Sequence, residues 1–138
     1  MIEKINYHSK LLAIIIRAKF KPLKSKFITP NTFKQQVGFI VYDKNNEIKP
    51  HIHRETPRNL KGTSEVLILK KGRVRVDFYS QKKQYAESRR LYPGDILILV
   101  SGGHGFYFHK RSIFIEIKQG PYVGPKEKER FPSKYKIK

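Results

Sequence analysis

Between Arg73 and Phe78 the chain reads Arg-Val-Arg-Val-Asp-Phe. This period of two puts Val74, Val76 and Phe78 on one face and the ionised side chains on the other. A helix, repeating every 3.6 residues, would scatter those apolar side chains around its circumference, so the segment is a strand with one face to bury. Comparable short runs stand at Leu11 to Arg17, Val37 to Tyr42, Ile48 to His53, Glu65 to Leu69, Asp95 to Val100, His104 to Phe108 and Ile113 to Lys118. Turn formers separate them: Asp43-Lys44-Asn45-Asn46, Lys71-Gly72, Pro93-Gly94-Asp95 and Ser101-Gly102-Gly103. About eight short strands with regularly placed turns predict an all-β sandwich or jelly roll. The one helical turn expected is Asn31 to Gln35, started by Pro30 and Asn31.

A chain of 138 residues supports one core and not two. The expected organisation is a single domain over residues 1–125, with an N-terminal strand and arm, followed by a basic tail over 126–138. Pro125, Pro132 and alternating Lys and Glu give that tail little to bury, so it is expected to be extended or loosely attached. The absence of cysteine excludes disulfides and thiolate metal sites; any metal must be held by nitrogen and oxygen. The longest apolar run, Leu11 to Ile16, is too short to cross a bilayer, and no small-residue cleavage site follows it. The expectation is a soluble, unprocessed, cytoplasmic protein without a membrane partner.

Thirty Lys and Arg against 11 Asp and Glu give a net charge of +19, a field that attracts anions. Only Lys19 to Lys26 and Lys126 to Lys138 are dense; the lysines elsewhere read as solvated strand faces that discourage edge-to-edge aggregation. No DNA-reading helix and no RNA-binding motif is visible, which argues against a nucleic acid as partner and leaves a small polar or anionic molecule.

Residues able to do chemistry collect on the predicted strands. His51 and His53 are one residue apart, so on a strand both rings leave the same face and reach one ion. Glu65 opens a strand whose same-face neighbours, Leu67 and Leu69, are apolar, which places a carboxylate at the rim of an inward surface, where it needs a cation or donors. His104 follows Gly102-Gly103 and shares its face with Phe106 and Phe108, so it too looks inward. Glu116 points away from Ile115 and Ile117; it is a candidate acid or base if its face is the interior, and a solvent-facing residue otherwise. Arg54, Arg58 and Lys61 lie in the loop after His53 and either clamp an anion or are simply solvated. His8 and His109 read as ordinary surface residues.

Together these residues resemble the cupin superfamily. Its first motif runs His-x-His, a short loop, Glu, six residues, Gly; here stand His51-Ile52-His53, Glu65 and, six residues on, Gly72. Its second motif joins a Pro-x-Gly segment to a glycine and a closing His; here are Pro93-Gly94-Asp95, Gly102-Gly103 and His104. The resemblance covers about residues 48–118. Departures are the eleven residues between His53 and Glu65 where the family has three or four, Val100 in place of a Pro, and no Asn after the last His. The long loop leaves Glu55 as an alternative carboxylate to Glu65. The run Gln119-Gly120-Pro121-Tyr122 resembles that of small single-domain cupins associated with surface-polysaccharide biosynthesis.

The resemblance implies a double-stranded β-helix, or jelly-roll barrel, with one divalent transition metal held by His51, His53, Glu65 and His104. Imidazole and carboxylate donors suit Fe, Mn, Ni, Cu or Zn without choosing among them. It also implies a homodimer, since an isolated barrel of this kind leaves sheet edges to cover. Two functions stay open: a metal-dependent enzyme, an isomerase or epimerase or an oxygenase, acting on a small polar or anionic and perhaps sugar-derived substrate, and a non-catalytic module that binds or senses such a molecule.

Overall fold

In the computed structural model of the protein, residues 1–135 are described; the last three residues of the basic tail lie outside them. The described residues form ten strands, β1 (Ile2–Tyr7), β2 (Lys10–Ile16), β3 (Lys26–Phe27), β4 (Gly38–Phe39), β5 (Glu65–Lys71), β6 (Val74–Tyr79), β7 (Tyr85–Leu91), β8 (Ile96–Leu99), β9 (Gly103–Phe108) and β10 (Ile113–Lys118). A single 3-10 turn, Pro125–Glu127, is the only helical element among the described residues. The expected helical turn at Asn31 to Gln35 is not helical: the amide of Phe33 donates to the carbonyl of Pro30 (3.0 Å) and the chain turns once. The described residues are thus all-β, in three antiparallel sheets and without a closed barrel among them.

The chain divides into two compact units, Met1–Phe20 with Thr63–Lys138, and Lys21–Gly62. The first holds a five-stranded sheet in the order β1-β2-β8-β5-β10 and a three-stranded sheet in the order β7-β6-β9. Register explains the sequence patterns. Leu67 lies opposite both Leu97 and Glu116, and Leu97 opposite Ile15, so one face of the large sheet is set by these residues. That face meets Val74, Val76, Phe78 and Leu91 of the small sheet in one core, with Ile5, Ala13, Leu69 and Leu99. β6 alternates in sequence but is buried on both faces, Val74, Val76 and Phe78 against the core and Asp77 and Tyr79 on the other side; β2 is buried from Leu12 onward along an aliphatic run.

Consecutive strands switch sheets at the β5–β6, β7–β8, β8–β9 and β9–β10 connections. At the first of these, Gly72 has φ +105°, and a Cβ there would stand 2.1 Å from Oγ and 2.7 Å from Cα of Ser112. Only glycine fits so tight a bend. At Pro93-Gly94-Asp95 the carboxylate of Asp95, 3% exposed, accepts from the amides of Ala18 and Tyr92 (both 3.0 Å) and from Nη1 of Arg17 (2.7 Å). Arg17 also binds Glu3, which Arg89 approaches at 3.2 Å, so charge links the β1 and β7 edges of the two sheets.

The chain beyond β10 makes specific contacts with the outer face of the small sheet. Phe131 meets the ring of Tyr79 edge-on (centroids 5.1 Å apart), the amide of Lys134 donates to the Tyr79 hydroxyl (3.1 Å), and Tyr135 packs edge-on against Tyr85.

The second unit carries the two-residue pair β3–β4, so the strand expected at Val37 to Tyr42 shrinks to Gly38–Phe39. The strand expected at Ile48 to His53 does not form. Pro50 cannot donate to a ladder, no strand among the described residues pairs with the segment, and Ile48 and Ile52 remain 53% and 89% exposed.

Candidate functional site

β5 begins on Glu65, whose carboxylate shares the core-facing side with Leu67 and Leu69. The residue is 7% exposed. Its register partners are Leu99 on β8 and Lys118 on β10. From the facing sheet, β9 brings His104 opposite Phe78, which is buried in the core. Across the two sheets Nε2 of His104 stands 3.3 Å from Oε2 of Glu65. The imidazole holds the Glu65 carboxyl below the usual carboxylate range, against the opposing effect of burial, and the positive charges of Lys128 and Lys118 act in the same direction as His104. An apolar ladder lies alongside: His104 meets Phe106 edge-on (5.5 Å) and Phe106 meets Phe114 (5.7 Å).

The face assigned to His104, Phe106 and Phe108 is the observed one, since they stand opposite Phe78, Val76 and Val74. Burial along it is graded: the His104 side chain is about one-third exposed, Phe106 is half-buried and Phe108 is exposed. β9 ends its sheet, and an edge strand covers only part of its inner face. Glu116 has core-facing parity opposite Leu67, yet it is exposed because β10 ends the other sheet. It makes no ion pair or hydrogen bond among the described residues.

His51 and His53 lie in the other unit, on exposed coil and not on a strand. Their rings are adjacent, with centroids 5.2 Å apart, and Nδ1 of His51 contacts the carbonyl of Lys49 at 2.9 Å. Glu55, Arg54, Arg58 and Lys61 are exposed in the same coil, and none forms an ion pair among the described residues. Sequence reasoning missed Lys118, which faces Glu65 across the sheet, and Lys128. Parity on β10 carried the signal for Lys118, two residues beyond Glu116.

Two atoms sharing a tetrahedral ion at about 2.0–2.1 Å stand about 3.3 Å apart. The Nε2 to Oε2 separation of His104 and Glu65 has that value, and an imidazole with a carboxylate is a donor set such ions accept. The same separation is that of a direct imidazole–carboxylate contact, so the pair by itself calls for no ion. Among the described residues no group of three or more His, Asp or Glu is gathered as a metal site would require. No family model, no curated protein and no solved structure matches this chain.

Proposed function

We propose that this chain is a small cupin-type jelly roll that binds a small polar or anionic molecule at a divalent transition metal, with Glu65 and His104 as the ligands its larger unit supplies; the His51 and His53 that the resemblance adds to the set belong to the other unit. The observation that carries the reading is the Glu65–His104 pair: a carboxylate at 7% exposure, reached from the opposite sheet by an imidazole at 3.3 Å. Burying a carboxylate is costly without a cation or donors, and here His104, Lys128 and Lys118 keep it ionised and so available as an oxygen ligand. The repeated switching of consecutive strands between two antiparallel sheets is the topology a jelly roll needs, and it supports the fold half of the reading.

The metal would supply Lewis-acid polarisation of a bound oxygen. The chain's own residues do the rest. Glu65 and His104 present oxygen and nitrogen donors, Lys118 adds positive charge beside them, and Arg54, Arg58 and Lys61 draw an anion toward the histidine-bearing coil. Glu116, on the core-facing side and without an ion-pair partner, is the candidate acid or base if the protein is an enzyme.

The test separates a small anion from a nucleic acid. Sugar phosphates, uronic acids, dicarboxylates and a labelled oligonucleotide are titrated at low and physiological salt into wild type and Arg58→Ala. A protein touching several phosphates loses affinity by orders of magnitude as salt rises, whereas one seated anion is far less sensitive. Saturable small-anion binding that weakens in Arg58→Ala supports the proposal. Salt-resistant oligonucleotide binding that ignores Arg58, with no response to any small anion, would overturn it.

A further inference from the structure

We infer that two copies of this chain pair antiparallel along the free edge of β10, with Ile117 on the two-fold axis. This inference does not rest on the functional reading. β10 ends the five-stranded sheet and is hydrogen-bonded on one side only, to β5. The amide of Gln119 donates to the carbonyl of Ser64 (3.0 Å), so the odd-numbered residues of this strand turn their backbone groups toward β5. Phe114, Glu116 and Lys118 therefore turn theirs to the open side. Ile113, Ile115 and Ile117 are 50%, 45% and 47% exposed on one face of that edge. That face carries neither proline nor charge; the strand's two charges, Glu116 and Lys118, lie on the other face.

Backbone parity and charge together select the register. A symmetric antiparallel pair must set odd residues against odd and even against even, which limits the axis to a residue position. An axis at Glu116 places two carboxylates face to face. One at Ile115 sets Glu116 against Phe114. With the axis at Ile117, Glu116 of each copy faces Lys118 of the other, twice by symmetry, and Ile117 meets Ile117. Glu116 has no partner within the described residues, in a chain where basic residues outnumber acidic ones 30 to 11. Lys118 stands 3.9 Å from its own Glu127 and 5.5 Å from the centroid of the Tyr122 ring, and an ammonium with three donors can take a further carboxylate. The occupant this edge fits is thus a second copy of the same strand.

The chain has no cysteine, so one introduced thiol reports on the axis without background. In the proposed register residue 117 of each copy sits in a non-hydrogen-bonded pair with Cα atoms about 4.5 Å apart, within disulfide reach. Residue 115 would be separated from its own copy by four residues along the strands, about 14 Å. Ile117→Cys is therefore expected to cross-link into a covalent dimer under mild oxidation, and Ile115→Cys is not. In sedimentation, Glu116→Lys and Lys118→Glu should each weaken the wild-type dimer about tenfold or more, and the double reversal should return it to within about threefold. Circular dichroism checks that each variant keeps its strands. A wild type that stays monomeric to about 100 µM overturns the inference, a range that covers even weak association. So does cross-linking at residue 115 in place of 117, or a double reversal no tighter than the single changes.

Discussion

Replacing Asp95 with Ala removes the acceptor around which the β7–β8 turn closes. The carboxylate is 3% exposed and takes three donors: Nη1 of Arg17 at 2.7 Å, and the amides of Ala18 and Tyr92 at 3.0 Å each. Breaking a buried charge pair by deleting one partner costs about 3–5 kcal/mol. Arg17 keeps Glu3, and its side chain is 20% exposed, so the electrostatic loss sits near the low end of that range. The two orphaned amides add about 1 kcal/mol or more between them where water does not replace the carboxylate. The expected loss is about 3–4 kcal/mol, a large share of the roughly 5–15 kcal/mol of a typical domain. Asp95→Asn, which keeps an acceptor oxygen but not the charge, should lose about half as much. Urea unfolding at neutral pH measures both as a fall in midpoint at unchanged slope. A loss below about 1 kcal/mol for Asp95→Ala would mean that the carboxylate does not organise the turn, and would refute the reasoning.

Two further outcomes follow from the geometry. Because the Glu65 carboxyl is held below its unfolded value, it contributes stability that is fully present above about pH 4.3 and is lost as pH falls through the lowered folded value. Glu65→Gln should therefore flatten the acid limb of a stability-against-pH curve, and an unchanged limb would remove the pair's electrostatic role. Phe131→Ala should free the chain after residue 128 from Tyr79, seen as faster tryptic cleavage at Lys128 and Arg130 with the rest of the domain intact; equal cleavage rates would show that the Phe131 contact does not hold the tail.

Strands that bury a face were legible because burial writes itself into the sequence. β2, β5, β6, β8, β9 and β10 stand where alternation or aliphatic runs placed them. β1 and β7 were not foreseen, for a shared physical reason. Each ends a sheet, β1 buries only Ile5 fully, and β7 sets Arg89 against Val76 and Glu87 against Phe78. Inward charge on these edge strands is satisfied by Arg89 with Glu87 along β7 and by Glu3 with Arg17 and Arg89 across the fold, so no apolar alternation records the buried face. The opposite failure occurred at Ile48 to His53, where a strand-like pattern found no partner to pair with. In the candidate site, Glu65 and His104 were legible as inward residues from their neighbours on one face. That they meet across two sheets follows from tertiary topology, which the spacing does not contain.

The central claim is that Glu65 and His104 are ligands of a resident metal, and metal content tests it most directly. Protein purified without added metal, and after loading with Mn, Fe, Ni, Cu or Zn followed by desalting, is measured for moles of metal per chain in wild type, His53→Ala and His104→Ala. Wild type should carry about one equivalent of one of these ions, and each variant should fall at least about tenfold. A wild type that retains none of the five ions, or a His104→Ala variant that retains as much as wild type, would contradict the account.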